Sequence, residues 1–91
     1  ARMNRVAFSA AMSFVWSGEQ ERISLLKQAF HEGASLKDIP PSDFEKSKLL
    51  AGYKWKEREG NWIDLIGILL KAGRTDDANV IKKLKRRGPT K

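Results

Sequence analysis

Among its 91 residues the chain has no cysteine. That absence excludes a disulfide framework, every cysteine-bearing zinc finger and a cysteine nucleophile. A single histidine, His31, cannot by itself furnish a histidine metal cluster or a catalytic triad. Long apolar runs are missing too. The most apolar stretch, residues 3–16, is interrupted by Asn4, Ser9 and Ser13 and falls short of the roughly 20 residues that span a bilayer. Its exit through Trp16-Ser17-Gly18-Glu19 has the form of a helix boundary rather than a leader cleavage site, so the stretch reads as core. No segment alternates apolar and polar residues for long enough to make a strand. Glu57, Glu59 and Asp64 include no pair that the sequence brings into one cleft, so paired-carboxylate catalysis is not expected. The expectation is a non-enzymatic chain with no metal, cofactor, small-molecule substrate or membrane partner.

What is present suits a small folded domain. Hydrophobic residues make up 41 % and charged residues 32 % of the chain, too apolar a mixture for disorder. One helical domain over residues 1–88, with a tail at 89–91, is the expected organisation. The formal net charge is +7, and it is unevenly divided. Residues 1–45 hold five basic and six acidic side chains, a net −1; residues 46–91 hold thirteen and five, a net +8. Much of the excess falls in Lys82, Lys83, Lys85, Arg86, Arg87 and Lys91. An intracellular setting, cytoplasmic or nuclear, is expected.

Apolar spacing divides the chain into six helices. Met3, Val6, Ala7, Ala10 and Phe14 recur at steps of three and four, the stripe of a first helix. Ser17 is the expected N-cap of a second, with Glu19 and Glu21 in its first turn, Ile23, Leu25, Leu26, Ala29 and Phe30 along it and Gly33 as its stop. Ser35 to Ile39 reads as a short third helix ended by Pro40-Pro41. A fourth is expected from Pro41 to about Arg58, carrying Phe44, Leu49, Leu50, Tyr53 and Trp55. Gly60 reads as a break and Asn61 as the cap of the fifth, in which Trp62, Leu65, Ile66, Leu69 and Leu70 fall at i, i+3, i+4, i+7 and i+8. Gly73 closes it; Thr75 caps the sixth, with Asp76 and Asp77 in its first turn and Ala78, Val80, Ile81 and Leu84 facing inward. The expected core is centred on Phe14, Leu26, Phe30, Trp55, Trp62, Leu65, Leu69 and Ile81.

Two motifs in the second half carry a resemblance. One is a tryptophan followed by charges and a glycine, Trp55-Lys-Glu-Arg58-Glu-Gly60. The other has leucines four apart running into a Gly-Arg-x-Asp-x-Ala turn, Leu65-Ile-Gly-Ile-Leu69-Leu-Lys-Ala-Gly73-Arg74-Thr-Asp76-Asp77-Ala78. Residues 49–84 resemble the second half of a death domain, the six-helix Greek-key bundle of apoptotic and innate-immune adaptors. The resemblance implies an all-α, compact six-helix antiparallel bundle with a short third helix. It also implies a non-catalytic adaptor or signalling role, in which Arg74, Asp76 and Asp77 belong to surfaces used for charge-matched assembly. A weaker likeness, Trp16 to Ile39, is to the first two helices of Myb-like or helix-turn-helix DNA binders. The Pro-Pro and the helix of Leu, Tyr and Trp that follow suit a core better than a recognition helix.

The candidate interaction surface is therefore Arg74, Asp76, Asp77, Lys82, Lys83, Lys85, Arg86 and Arg87. Cations at a helix C-terminus complement its dipole, but six basic residues in the last ten exceed what capping asks. The expected partner is an acidic or charge-matched helical protein domain. The alternative is DNA or RNA, contacted at its phosphates by the 46–91 half, with Lys46, Lys48, Lys54, Lys56 and Arg58 as a candidate polyanion patch. A third reading is a structural piece of a longer protein. Trp16 is a candidate interface anchor.

Overall fold

The computed structural model describes residues 2–39 and 55–87. Four α-helices lie among them: α1, Arg2–Ser17; α2, Gln20–His31; α3, Glu59–Lys71; and α4, Thr75–Arg87. Helix α1 contains neither glycine nor proline, and it buries Ala7, Phe8, Ala11, Phe14 and Val15 over an arc wider than one stripe. The arc is wide because α1 packs against both α2 and α3. Val6, expected on the inner stripe, is exposed. Gly18, at φ +71°, ends the helix and donates its N–H to the Phe14 carbonyl at 2.7 Å. Ser17 remains inside α1; its hydroxyl donates to the Ser13 carbonyl and accepts from the Glu19 N–H.

Helix α2 buries Ile23, Leu26 and Ala29, leaves Leu25 exposed, and ends at Gly33, φ +99°. There the Ala34 N–H donates to the Ala29 carbonyl and the Gly33 N–H to the Phe30 carbonyl, both at 3.0 Å, a Schellman closure. The same closure ends α3: Gly73 is at φ +75°, and Arg74 and Gly73 donate to Leu69 and Leu70 at 2.8 and 3.1 Å.

The expected helix at Ser35–Ile39 does not form. The segment is a run of bends and turns with one short-range bond, Ile39 N–H to the Leu36 carbonyl at 3.3 Å. The Ser35 and Leu36 N–H groups go instead to side chains of α1 and α4, Asn4 and Asp77. Ala34, Leu36 and Ile39 still turn inward and close one end of the core. Of the expected fourth helix only Trp55–Arg58 lies within the described residues, and it is a 3₁₀ turn running into α3 without a break. Gly60 and Asn61 sit in the first turn of α3, directly after that 3₁₀ turn, and neither breaks the helix.

The fold is thus an all-α compact bundle with four α-helices among the described residues, not the six-helix arrangement expected. Helix α1 packs on α2 and α3, and α3 on α4. Trp62, Leu65 and Leu69 of α3 meet Phe14 and Val15 of α1, Leu26 of α2 and Ile81 and Leu84 of α4 in one core. Phe30 packs at its edge, partly buried, and the Trp55 side chain lies outside the described residues.

Candidate functional site

Three polar or mixed features meet the residues singled out from the sequence. The first begins at the Arg74-Thr-Asp-Asp77 turn that opens α4. Arg74 Nε donates to Asp77 Oδ2 at 2.7 Å, and its Nη2 donates to the Ala34 carbonyl at 2.8 Å. The guanidinium lies over the Phe30 ring, 3.9 Å from its centre. Asp77 Oδ1 accepts from the Leu36 N–H at 2.8 Å and from the Ser35 hydroxyl at 3.4 Å, while Asn4 Oδ1 accepts from the Ser35 N–H at 2.9 Å. The 34–36 turn is therefore clasped between the first turns of α1 and α4. Asp77 is only 4 % exposed, so its reading as a surface acid is corrected, and Arg74 is committed with it. Asp76, one residue earlier, stays exposed with Lys37 at 3.8 Å. The groove of about 320 Å³ outside the clasp borders Lys37, Thr75 and Asp76.

The second feature is the exposed side of the α3–α4 hairpin. Lys82, Lys83 and Arg86 are exposed; Lys85 is half-buried, its ammonium 3.5 Å from Glu59 of α3. Beside them Ile63 is 55 % exposed and Ile66 half-buried. Together Ile63, Ile66, Lys82, Lys85 and Arg86 line a shallow groove of about 370 Å³. Leu70, expected inside, is exposed one turn further along α3. The Arg87 side chain lies outside the described residues.

The third is a pair. Arg58, from the 3₁₀ turn, lays its guanidinium 4.6 Å above the exposed Trp16 ring of α1. Its Nε is buried and has no hydrogen-bond partner among the described residues. Arg58 thus faces Trp16 of α1, and Lys56 near it is exposed; Lys46, Lys48 and Lys54 lie outside the described residues. His31 is exposed at the end of α2. Among the described residues no group of three or more His, Cys, Asp or Glu side chains could hold a metal ion, and no helix is long and apolar enough to cross a membrane.

No protein-family model, curated protein or solved structure matches the chain. With four α-helices among the described residues where the resemblance implied six, and no match to that family, the death-domain resemblance is overturned, and with it the roles it implied for Arg74 and Asp77.

Sequence reading missed Asn4 as a structural polar group and gave Ser35 and Asn61 a different role, as helix caps. Asn61 Nδ2 donates to the Val15 carbonyl at 2.9 Å, one of the last four carbonyls of α1 that no helical N–H can reach. An asparagine placed in an otherwise apolar helix face was the available signal for Asn4. Gly67 was missed as well. It is exposed in the middle of α3, and apart from its own stretch of helix backbone no heavy atom among the described residues lies within 4 Å of where its Cβ would stand.

Proposed function

We propose that this domain is a non-catalytic protein-binding module, whose basic α3–α4 face engages an acidic, charge-matched helical partner. The observation that carries the reading is the composition of that face. Lysine and arginine heads rim an aliphatic floor of Ile63 and Ile66. Aliphatic surface offers nothing to a phosphate backbone and no stacking platform to a base, whereas a protein partner can bury it while its carboxylates meet the rim. Long-range attraction from a +7 chain would speed encounter and select against basic partners more than it adds affinity.

The test is fluorescence anisotropy with two labelled probes, a glutamate-rich helical peptide and a duplex of about 20 base pairs, each at about 50 and 200 mM salt. The peptide is expected to bind and the duplex to bind weakly at most. Replacing Lys82, Lys83, Lys85 and Arg86 together by glutamine should remove the peptide binding. Sub-micromolar duplex binding that falls steeply with salt and vanishes in the same variant would replace this reading by a phosphate-contacting one. Binding that survives the quadruple change would overturn the face assignment.

A further inference from the structure

Resting on that reading, we propose that the α3–α4 groove receives an acidic amphipathic helix, which lays its apolar ridge on Ile63, Ile66 and Leu70 and comes closest to this chain at Gly67.

Three observations converge on this occupant. Ile63, Gly67 and Leu70 fall at i, i+4 and i+7 of α3, one line along its outer side, and at its start Ile63 and Ile66 line the groove against α4. Ile63 and Leu70 are 55 % and 43 % exposed, an aliphatic row that a helix of similar length can cover with its own i, i+3, i+4, i+7 residues. Gly67 sits at the centre of the row. A glycine in an exposed helix interior is unfavourable relative to alanine, yet its φ is ordinary, and among the described residues nothing occupies the space a methyl group would take. The fold itself therefore gives no reason for it. A missing side chain at mid-row lets another backbone approach closely. Finally, the Ile63–Ile66 end of the row is flanked on its α4 side by Lys82, Lys85 and Arg86, with Glu59 beside Lys85. A bound helix would thus need acids on the flank toward α4 and aliphatic residues toward α3. An unstructured acidic tail would satisfy the rim and leave the row bare.

The experiment compares two peptides on the whole 91-residue chain by ¹H–¹⁵N NMR titration. One is a helix of about fourteen residues with leucines at i, i+3, i+4 and i+7 and glutamates on one flank. The other has the same composition with the leucines scattered around the helix. The amphipathic peptide is expected to bind about tenfold more tightly, shifting the amides of Ile63, Gly67 and Leu70 as well as those of residues 82–86. In Gly67→Ala the thermal midpoint should hold or rise while affinity falls about tenfold. Ile63→Ser, at an exposed position, should likewise weaken binding and leave the fold intact.

Equal affinity for both peptides, with shifts confined to residues 82–86, would overturn the groove while leaving the basic-face reading standing. Failure of both peptides to bind would overturn both. Unchanged or tighter binding by Gly67→Ala would overturn the close approach. If Gly67→Ala melts lower than the parent, Ile63→Ser decides the matter.

Discussion

Asp77 uses both carboxylate oxygens, one for the Arg74 guanidinium and one for the Leu36 N–H and the Ser35 hydroxyl. Removing it leaves a buried N–H without an acceptor and a guanidinium without its counter-charge. Asp77→Ala should therefore cost about 3 kcal/mol, measured by denaturant unfolding. Asp77→Asn keeps an acceptor for Leu36 but turns an amide NH2 toward the Arg74 Nε–H and removes its counter-charge, so about 2 kcal/mol is expected. Asp76→Asn, exposed beside Lys37, should change stability by less than about 0.5 kcal/mol. Both acids were legible in the sequence as helix-starting residues. Which of them turns inward was not, because the deciding partner is a backbone N–H 41 residues away, and local spacing carries no trace of it. Trp62 was legible, since its place in a clean 3.6-residue period marks the inner face. It is 1 % exposed, and Trp62→Ala should cost about 3–5 kcal/mol.

The glycine stops of the helices were readable because left-handed backbone has few candidate residues. Gly33 and Gly73 both close Schellman turns. No atom crowds the Cβ position of Gly33, so Gly33→Ala isolates backbone strain and should cost about 1–2 kcal/mol. Gly18 differs, for a Cβ there would stand 3.2 Å from Asn61 Oδ1. Gly18→Ala is therefore expected to cost more than Gly33→Ala in the same unfolding measurement, by straining the turn and pushing Asn61 off the Val15 carbonyl. The 35–39 segment was misread for a reason that belongs to this scale. Its serine and inward leucine fit a helix, but two of its N–H groups find better acceptors on other elements. Gly60 was misread in the opposite sense: it lies in the first turn of α3 and breaks nothing, its φ not being left-handed.

For the molecule as a whole, the all-α class followed from the apolar periods, while the helix count among the described residues did not. Periodicity cannot distinguish a helix from a 3₁₀ turn that continues into one, as Trp55–Arg58 does. The charge imbalance was legible as a number; that Lys82, Lys85 and Arg86 share a groove with Ile63 and Ile66 emerges only in three dimensions. The cations there contribute little to stability. Lys82, Lys83 and Arg86 are solvent-exposed and the Lys85–Glu59 contact is a surface pair at 3.5 Å, so the quadruple glutamine variant should unfold within about 1 kcal/mol of the parent. A larger loss in a thermal melt would give those cations a structural role.

The clasp has a further consequence, in time rather than energy. The α1–α2 and α3–α4 hairpins join neighbours in the sequence, but the bonds from Asn4, Arg74 and Asp77 to the 34–36 turn span 31 to 42 residues. Closing such loops is entropically unfavourable until the hairpins have already met. The clasp should then fasten after the rate-limiting step and act as a latch on the way out. Asp77→Asn is expected to raise the unfolding rate by most of its effect and leave the folding arm of the chevron nearly unmoved. Slowed folding in proportion to the lost stability would instead put the 34–36 turn in the nucleus.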